Sequence, residues 1–97
     1  MKKAKDYWQK NNDQLFSMIL EIITPDKKIF EGEARSVTLP GSKGSFQILK
    51  NHAPIISTLK KGTLKVVDNH NKEHSFDVEG GVIENNKNKI IVLLENI

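Results

Sequence analysis

Residues 38–62 read TLPGSKGSFQILKNHAPIISTLKKG. Breakers interrupt this stretch at Pro40-Gly41, at Gly44, at Asn51-His52-Ala53-Pro54 and at Gly62, with short apolar runs between them. Such punctuation, about every ten residues, predicts closely spaced β-strands rather than helices. The stretch holds no nucleophile–base pair, metal-ligand cluster or phosphate-cradling loop. It reads as loops placed at the end of a stiff β-structure, hence as contact surface.

The pattern continues on both sides. Residues 18–24, MILEIIT, are β-rich and stop at Pro25-Asp26. Ile29 and Phe30 form a short piece before Gly32. In residues 34–39 Val37 and Leu39 share one face and Ser36 and Thr38 the other. Phe46 and Ile48 restart the pattern after Gly44, and Ile55, Ile56 and Leu59 follow Pro54. Leu64 and Val66 share a face, residues 68–72 form a polar hairpin tip, and Phe76 and Val78 point inward. Gly80-Gly81 marks a break, a bulge or a close approach by another backbone. Val82-Ile83 reads as a short strand, residues 85–88 as a turn, and KIIVLL (89–94) as the closing strand. The expectation is an all-β domain, an antiparallel β-sandwich or flattened barrel of eight to ten short strands over residues 18–97.

Residues 1–17 differ. They contain no Gly or Pro and hold the sole Trp (Trp8) and the sole Tyr (Tyr7). Ala4, Trp8 and Leu15 fall on roughly one helical face, interrupted by Asn11 and Asn12. This predicts a flexible or weakly helical N-terminal extension, since so short a lone helix is marginal in water. The rival reading is a docking segment anchored by Trp8.

At 97 residues the chain suits one small domain with a modest core. It has no cysteine, so no disulfide supports it, and a partner is the expected source of extra stability. The net charge of +3 is concentrated at the N-terminus, where Lys2, Lys3, Lys5 and Lys10 face Asp6 and Asp13. The remaining basic residues are scattered and only Arg35 is an arginine, which disfavours nucleic acid as a partner. No apolar run approaches the ~20 residues of a membrane helix. No secretory h-region follows the N-terminal lysines.

Each candidate for chemistry meets a simpler explanation. His52 stands in a loop stiffened by Pro54, with no Ser or Cys beside it to form a nucleophile–base pair, and is expected to bond backbone or face a partner. His70 and His74 straddle a hairpin tip rather than one helical face, which argues against zinc. The carboxylates Asp26, Glu31, Glu33, Asp77, Glu79 and Glu84 fall at outward positions, while Glu21 lies inside an apolar strand and reads as edge-facing or paired. The segment Pro40-Gly41-Ser42-Lys43-Gly44 lacks the full phosphate-loop pattern, and no helix follows it. No catalytic residue, metal or cofactor is expected.

Taken in order, Leu20 to Pro25, Phe30-Glu31-Gly32-Glu33, residues 36–42, Gly44-Ser45-Phe46, Asn51-His52-Ala53-Pro54-Ile55-Ile56, Gly62, Val78-Glu79-Gly80-Gly81 and residues 88–95 resemble the β-sandwich domain of the epsilon subunit of F-type ATP synthase. The resemblance covers essentially all of residues 18–97. It implies a non-catalytic subunit of the central rotor stalk, peripheral to the cytoplasmic face of the bacterial inner membrane, that fastens gamma to the c ring and helps couple proton flow to ATP synthesis. It implies that Thr24, His52 and Ser57 lie near gamma and that Gly41, Ser42, Lys43, Gly44 and Ser45 face the c ring. Gly80 and Gly81 are the expected close-approach pair.

The chain departs from the family's habit at Lys43, where acidic residues are common nearby, at Gln47, Lys50 and Val82, and at Asn85, where a strand residue is usually apolar. Many members continue into two C-terminal helices that restrain ATP hydrolysis. With Ile97 as the natural end, neither that restraint nor a nucleotide site is expected. The alternative to the stalk reading is a stand-alone β-sandwich binding module for a protein or small ligand.

Overall fold

Alternation of buried and exposed positions builds the strands. In the first, Met18, Leu20 and Ile22 are buried and the residues between them face outward. The computed structural model of the chain describes residues 18–95, so the expected N-terminal extension lies outside the described residues. Eight strands follow in order: β1 (Met18–Ile23), β2 (Lys28–Gly41), β3 (Gly44–Leu49), β4 (Ile55–Leu59), β5 (Gly62–Asp68), β6 (Glu73–Val78), β7 (Gly81–Asn86) and β8 (Lys89–Leu94). The all-β expectation holds. The sheet runs β1-β8-β7-β4-β2-β5-β6, with β3 on β2 and β1 also on β2.

The 14-residue β2 organises the fold. Its first half pairs with β1 up to Ala34, and its second half pairs with β3 from Ser36. Its register with β5 shifts between Ala34 and Ser36, a bulge at the point where the neighbour changes. Leu20, Ile22, Val37, Leu39, Ile48, Leu64, Val66, Ile83, Ile90 and Val92 meet in one core and are fully buried. Phe30, Phe46 and Phe76 pack at its margin.

The structure corrects several sequence expectations. Gly32 does not end a strand; it pairs with Leu20 inside β2. Pro40 and Gly41 also stay in the ladder, opposite Ser45 and Gly44. Proline lacks only the donor, and the Pro40 carbonyl accepts from Lys60 N at 2.9 Å. The turn is Ser42-Lys43. The turn expected at 85–88 is shorter, because Asn85 and Asn86 belong to β7. Lys87 and Asn88 have φ of 51° and 63°, the left-handed pair that a two-residue hairpin of the I′ type uses. One pairing is parallel, β1 with β8. No turn joins the first and last strands, so packing alone sets their relative direction.

Gly80 has φ 151° and separates β6 from β7. Gly81 begins β7, where a Cβ would collide with the carbonyl oxygen of Leu93. The close approach signalled by this pair is therefore made by the chain's own β8.

Candidate functional site

Four neighbouring strands, β1-β8-β7-β4, present an outer face that water would not choose. Register places Thr58, Val82, Leu93 and Ile23 in one row. The next row is Ile56, Glu84, Ile91 and Glu21, and Ile19 follows beside Lys89. Ile56 is 73% exposed, Leu93 51%, Ile19 47% and Val82 39%. Single exposed apolar residues are ordinary, but here Ile19, Ile23, Ile56, Val82, Ile91 and Leu93 gather on one sheet face with Glu84 and Glu21 among them, which suits a docking surface. Its border on the β2 side is charged: Lys28 Nζ lies 2.7 Å from Glu21 Oε2 and 3.1 Å from Glu31 Oε1. These contacts hold Glu21 below the usual carboxylate range and raise Lys28. Exposed apolar side chains bordered by charge, with Glu84 standing among them, are the makings of a protein interface.

Sequence reasoning missed this face, although a signal existed. A strand solvated on one side alternates, whereas MILEII and KIIVLL are apolar at almost every position. Such runs announce strands covered on both faces.

The second feature is a cleft of about 490 Å³ between the β2–β3 hairpin and β4. Gly41, Ser42, Lys43, Gly44 and Ser45 line one side, and Ile55, Ile56, Ser57 and Thr58 the other. Strand β4 meets β2 only at Leu59 opposite Gly41, so the two edges diverge and leave the gap. Thr58 Oγ1 donates to Ser42 Oγ at 2.8 Å, and Ser42 N donates to the Thr58 carbonyl at 3.0 Å.

The three residues expected near gamma fall in three different places. Thr24 is buried at the end of β1, where its hydroxyl accepts from Lys27 N and donates to Lys27 O, both at 3.2 Å. Ser57 is on the inner side of β4, level with buried Ile83, and shares the cleft with the five hairpin residues. His52 is at the other end of the sheet from Thr24. Its Nδ1 lies 2.8 Å from the Ala53 carbonyl, as the reading of a backbone-bonded loop histidine expects.

Asn85 is buried in β7, where its Oδ1 has no hydrogen-bond partner and only its Nδ2 is satisfied. Its Nδ2 donates to the His52 and Ala53 carbonyls at 3.4 and 3.3 Å, holding the 51–54 loop. Asn51 and Asn88 reinforce the same end, with Asn51 N donating to Asn88 Oδ1 at 2.7 Å and Asn88 Nδ2 to Asn51 Oδ1 at 3.1 Å.

His70 and His74 diverge. His74 Nε2 lies 2.9 Å from Asp68 Oδ2 and its ring meets Phe30 edge-on, while His70 contributes its backbone N–H to Asp68 Oδ1 at 2.8 Å. Lys72 N adds a further donor to Asp68 at 2.9 Å. Among the described residues no group of His, Cys, Asp or Glu is placed to hold a metal ion.

An eight-stranded β-fold with exposed apolar residues on one outer face and a loop-lined cleft has the features of a contact domain. The chain belongs to the family of the ATP synthase delta/epsilon chain β-sandwich domain, whose model matches residues 17–97. The ATP synthase epsilon chain of Chlorobium limicola is 42% identical over 87 residues, covering 90% of this chain and 97% of that one. That of Desulfatibacillum aliphaticivorans is 39% identical over 80 residues, covering 82% and 57%. The chain thus spans nearly all of the first relative and a little over half of the second. In fold it is similar to a chain in the Euglena gracilis mitochondrial ATP synthase structure of OSCP, F1 and c-ring. There the TM-score is 0.77 with 20% identity, over 81% of this chain and 51% of that one. A chain of the Tetrahymena thermophila central stalk and c-ring gives a TM-score of 0.67 with 21% identity, over 81% and 63%.

Proposed function

We propose that this domain is a non-catalytic central-stalk subunit of an F-type ATP synthase. In this role it fastens the gamma subunit to the c ring and helps couple proton flow to ATP synthesis. The observation that carries the reading is the apolar outer face of β1, β8, β7 and β4 on a domain of this family. Gamma covers that face. The Thr24 turn and the His52 loop border it at opposite ends, and Ser57 lies behind it in the cleft. The hairpin of Gly41, Ser42, Lys43, Gly44 and Ser45 projects toward the polar loops of the c ring. Lys43, at the exposed tip, brings a positive charge to that contact.

Mechanically, the role needs a body that does not shear between its two contacts. Eight paired strands around one core supply it, and the Ser42–Thr58 tie keeps the hairpin from swinging against β4. The subunit needs no cofactor for this. It sits peripherally, at the cytoplasmic face of a bacterial inner membrane; no helix among the described residues is long and apolar enough to cross one.

Co-expression with the gamma subunit tests the reading. A stable complex burying at least about 1,000 Å² is expected. Ile56→Lys should weaken it at least tenfold while leaving the domain folded. Absence of a complex with the unaltered chain overturns the proposal.

A further inference from the structure

The outer face carries two carboxylates, and only one of them has a cation. Glu21 is held by Lys28 Nζ at 2.7 Å. Glu84, on the interior strand β7, is exposed, and its carboxylate makes no hydrogen bond or ion pair with the described residues. We propose that Glu84 is the specificity contact of this face. It takes an arginine of the partner, whose guanidinium forks the carboxylate while its stem lies along Ile56 and Ile91.

The surroundings of Glu84 carry the argument. Ile56 on β4 and Ile91 on β8 stand directly opposite it, and Val82 and Asn86 flank it along β7. Opposed side chains in a sheet approach within about 5 Å. A partner that covers Ile56, Val82 and Leu93 therefore covers Glu84 as well. An unpaired carboxylate is stable in water, but stripping that water away is strongly unfavourable unless a cation replaces it. The face does not supply that cation itself. Lys28 is engaged by Glu21 and Glu31. Lys89 stands on the diagonal, opposite Asn86, and makes no ion pair with Glu84. A groove of about 440 Å³ at this end of β4 and β7 is lined by Pro54, Ile55, Ile56, Glu84, Asn85 and Asn86, with no basic residue among them. The missing charge must come from outside.

Arginine suits the position better than lysine. Its guanidinium is planar, weakly hydrated and always charged, and its paired donors match the two oxygens of a carboxylate. Its apolar stem lies readily on isoleucine. A lysine ammonium would surrender a tighter hydration shell to the same apolar surroundings.

The inference rests on the stalk reading only in taking gamma as the partner, and affinity measurements separate the two. Glu84→Gln keeps the shape and removes the charge. It should weaken gamma binding at least about tenfold, because the guanidinium is left without its counter-charge, while the melting transition of the free chain stays in place. Glu73→Gln makes the same change in charge at an exposed position on β6 and should leave the affinity alone. The arginines of gamma are then replaced one at a time by Gln. One of them should cause a similar loss against the unaltered chain and little further loss against Glu84→Gln, the signature of a coupled pair. Returning that arginine as Lys should recover only part of the affinity. Unchanged binding by Glu84→Gln overturns the pairing, since Glu84 would then stay in water. Tighter binding overturns it too, since Glu84 would be covered without a partner. Absence of coupling to every gamma arginine also overturns it, and full recovery with Lys overturns the fork. Each of these results leaves the stalk reading standing, whereas failure of gamma to bind the unaltered chain overturns that reading and the pairing with it.

Discussion

Ser42 and Thr58 bind each other twice, through their hydroxyls at 2.8 Å and from Ser42 N to the Thr58 carbonyl at 3.0 Å. The tip of the β2–β3 hairpin is thereby fastened to β4, where the two strands would otherwise part. Thr58→Ala removes the hydroxyl half. Amide exchange at Ser42 and Lys43 should quicken, while global stability falls by less than about 1 kcal/mol, as for one exposed neutral hydrogen bond. Unchanged exchange would mean that the hairpin is rigid by itself.

Gly81 and Gly32 should respond in opposite ways. A Cβ at Gly81 meets the Leu93 carbonyl, whereas at Gly32 the nearest atoms are in the Phe30 ring at 3.7 Å. Gly81→Val forces β7 from β8 and should cost about 3 kcal/mol or more, seen as a lower denaturant midpoint or as insoluble protein. Gly32→Ala should be neutral or stabilise by up to about 1 kcal/mol by restricting the unfolded chain.

Ile56 and Ile83 sit on opposite faces of adjacent strands. Ile56→Ser should change stability by no more than about 0.5 kcal/mol, because water already reaches the side chain. Ile83→Ala should cost about 2–5 kcal/mol, the range for a cavity in a packed core. Urea melts of the two variants compare them directly. Similar losses would show that the outer face is core rather than docking surface.

Acid should loosen the β5–β6 hairpin first. His74, with the backbone N–H groups of Lys72 and His70, lowers the Asp68 pKa from 3.8 to about 2. The folded state therefore holds its Asp68 proton less tightly than the unfolded state. That contribution is present above pH 3.8 and is lost as the pH falls toward 2. Asp68→Asn should lower the melting temperature near neutral pH and flatten its decline over that interval. A parallel decline in both proteins would exclude Asp68 as the group responsible.

Local chemistry made much of the molecule legible. Alternation at residues 34–39 and 63–68 announced strands, and the polar run at 68–72 announced a hairpin. The family motifs were readable in order. Gly80-Gly81 signalled a close approach, though not that β8 makes it. Breakers misled where a neighbour satisfied the backbone: Gly32 and Pro40 look like ends because local propensity ignores the partners that hold them in β2. Asn85 looked like a turn residue because its two carbonyl partners lie more than thirty positions away.

The sequence by itself determined the all-β class, the strands that clean alternation marks and the family, since these rest on alternation, turn chemistry and motif order. Only the tertiary structure decided that β1 runs parallel to β8 and that Thr24 follows β1, Ser57 lies within β4 and His52 stands in the loop before β4. It also decided that Ile19, Ile56, Val82 and Leu93 form one surface. The period of a strand sorts side chains into two faces, but which face meets water depends on the register between strands distant in the chain.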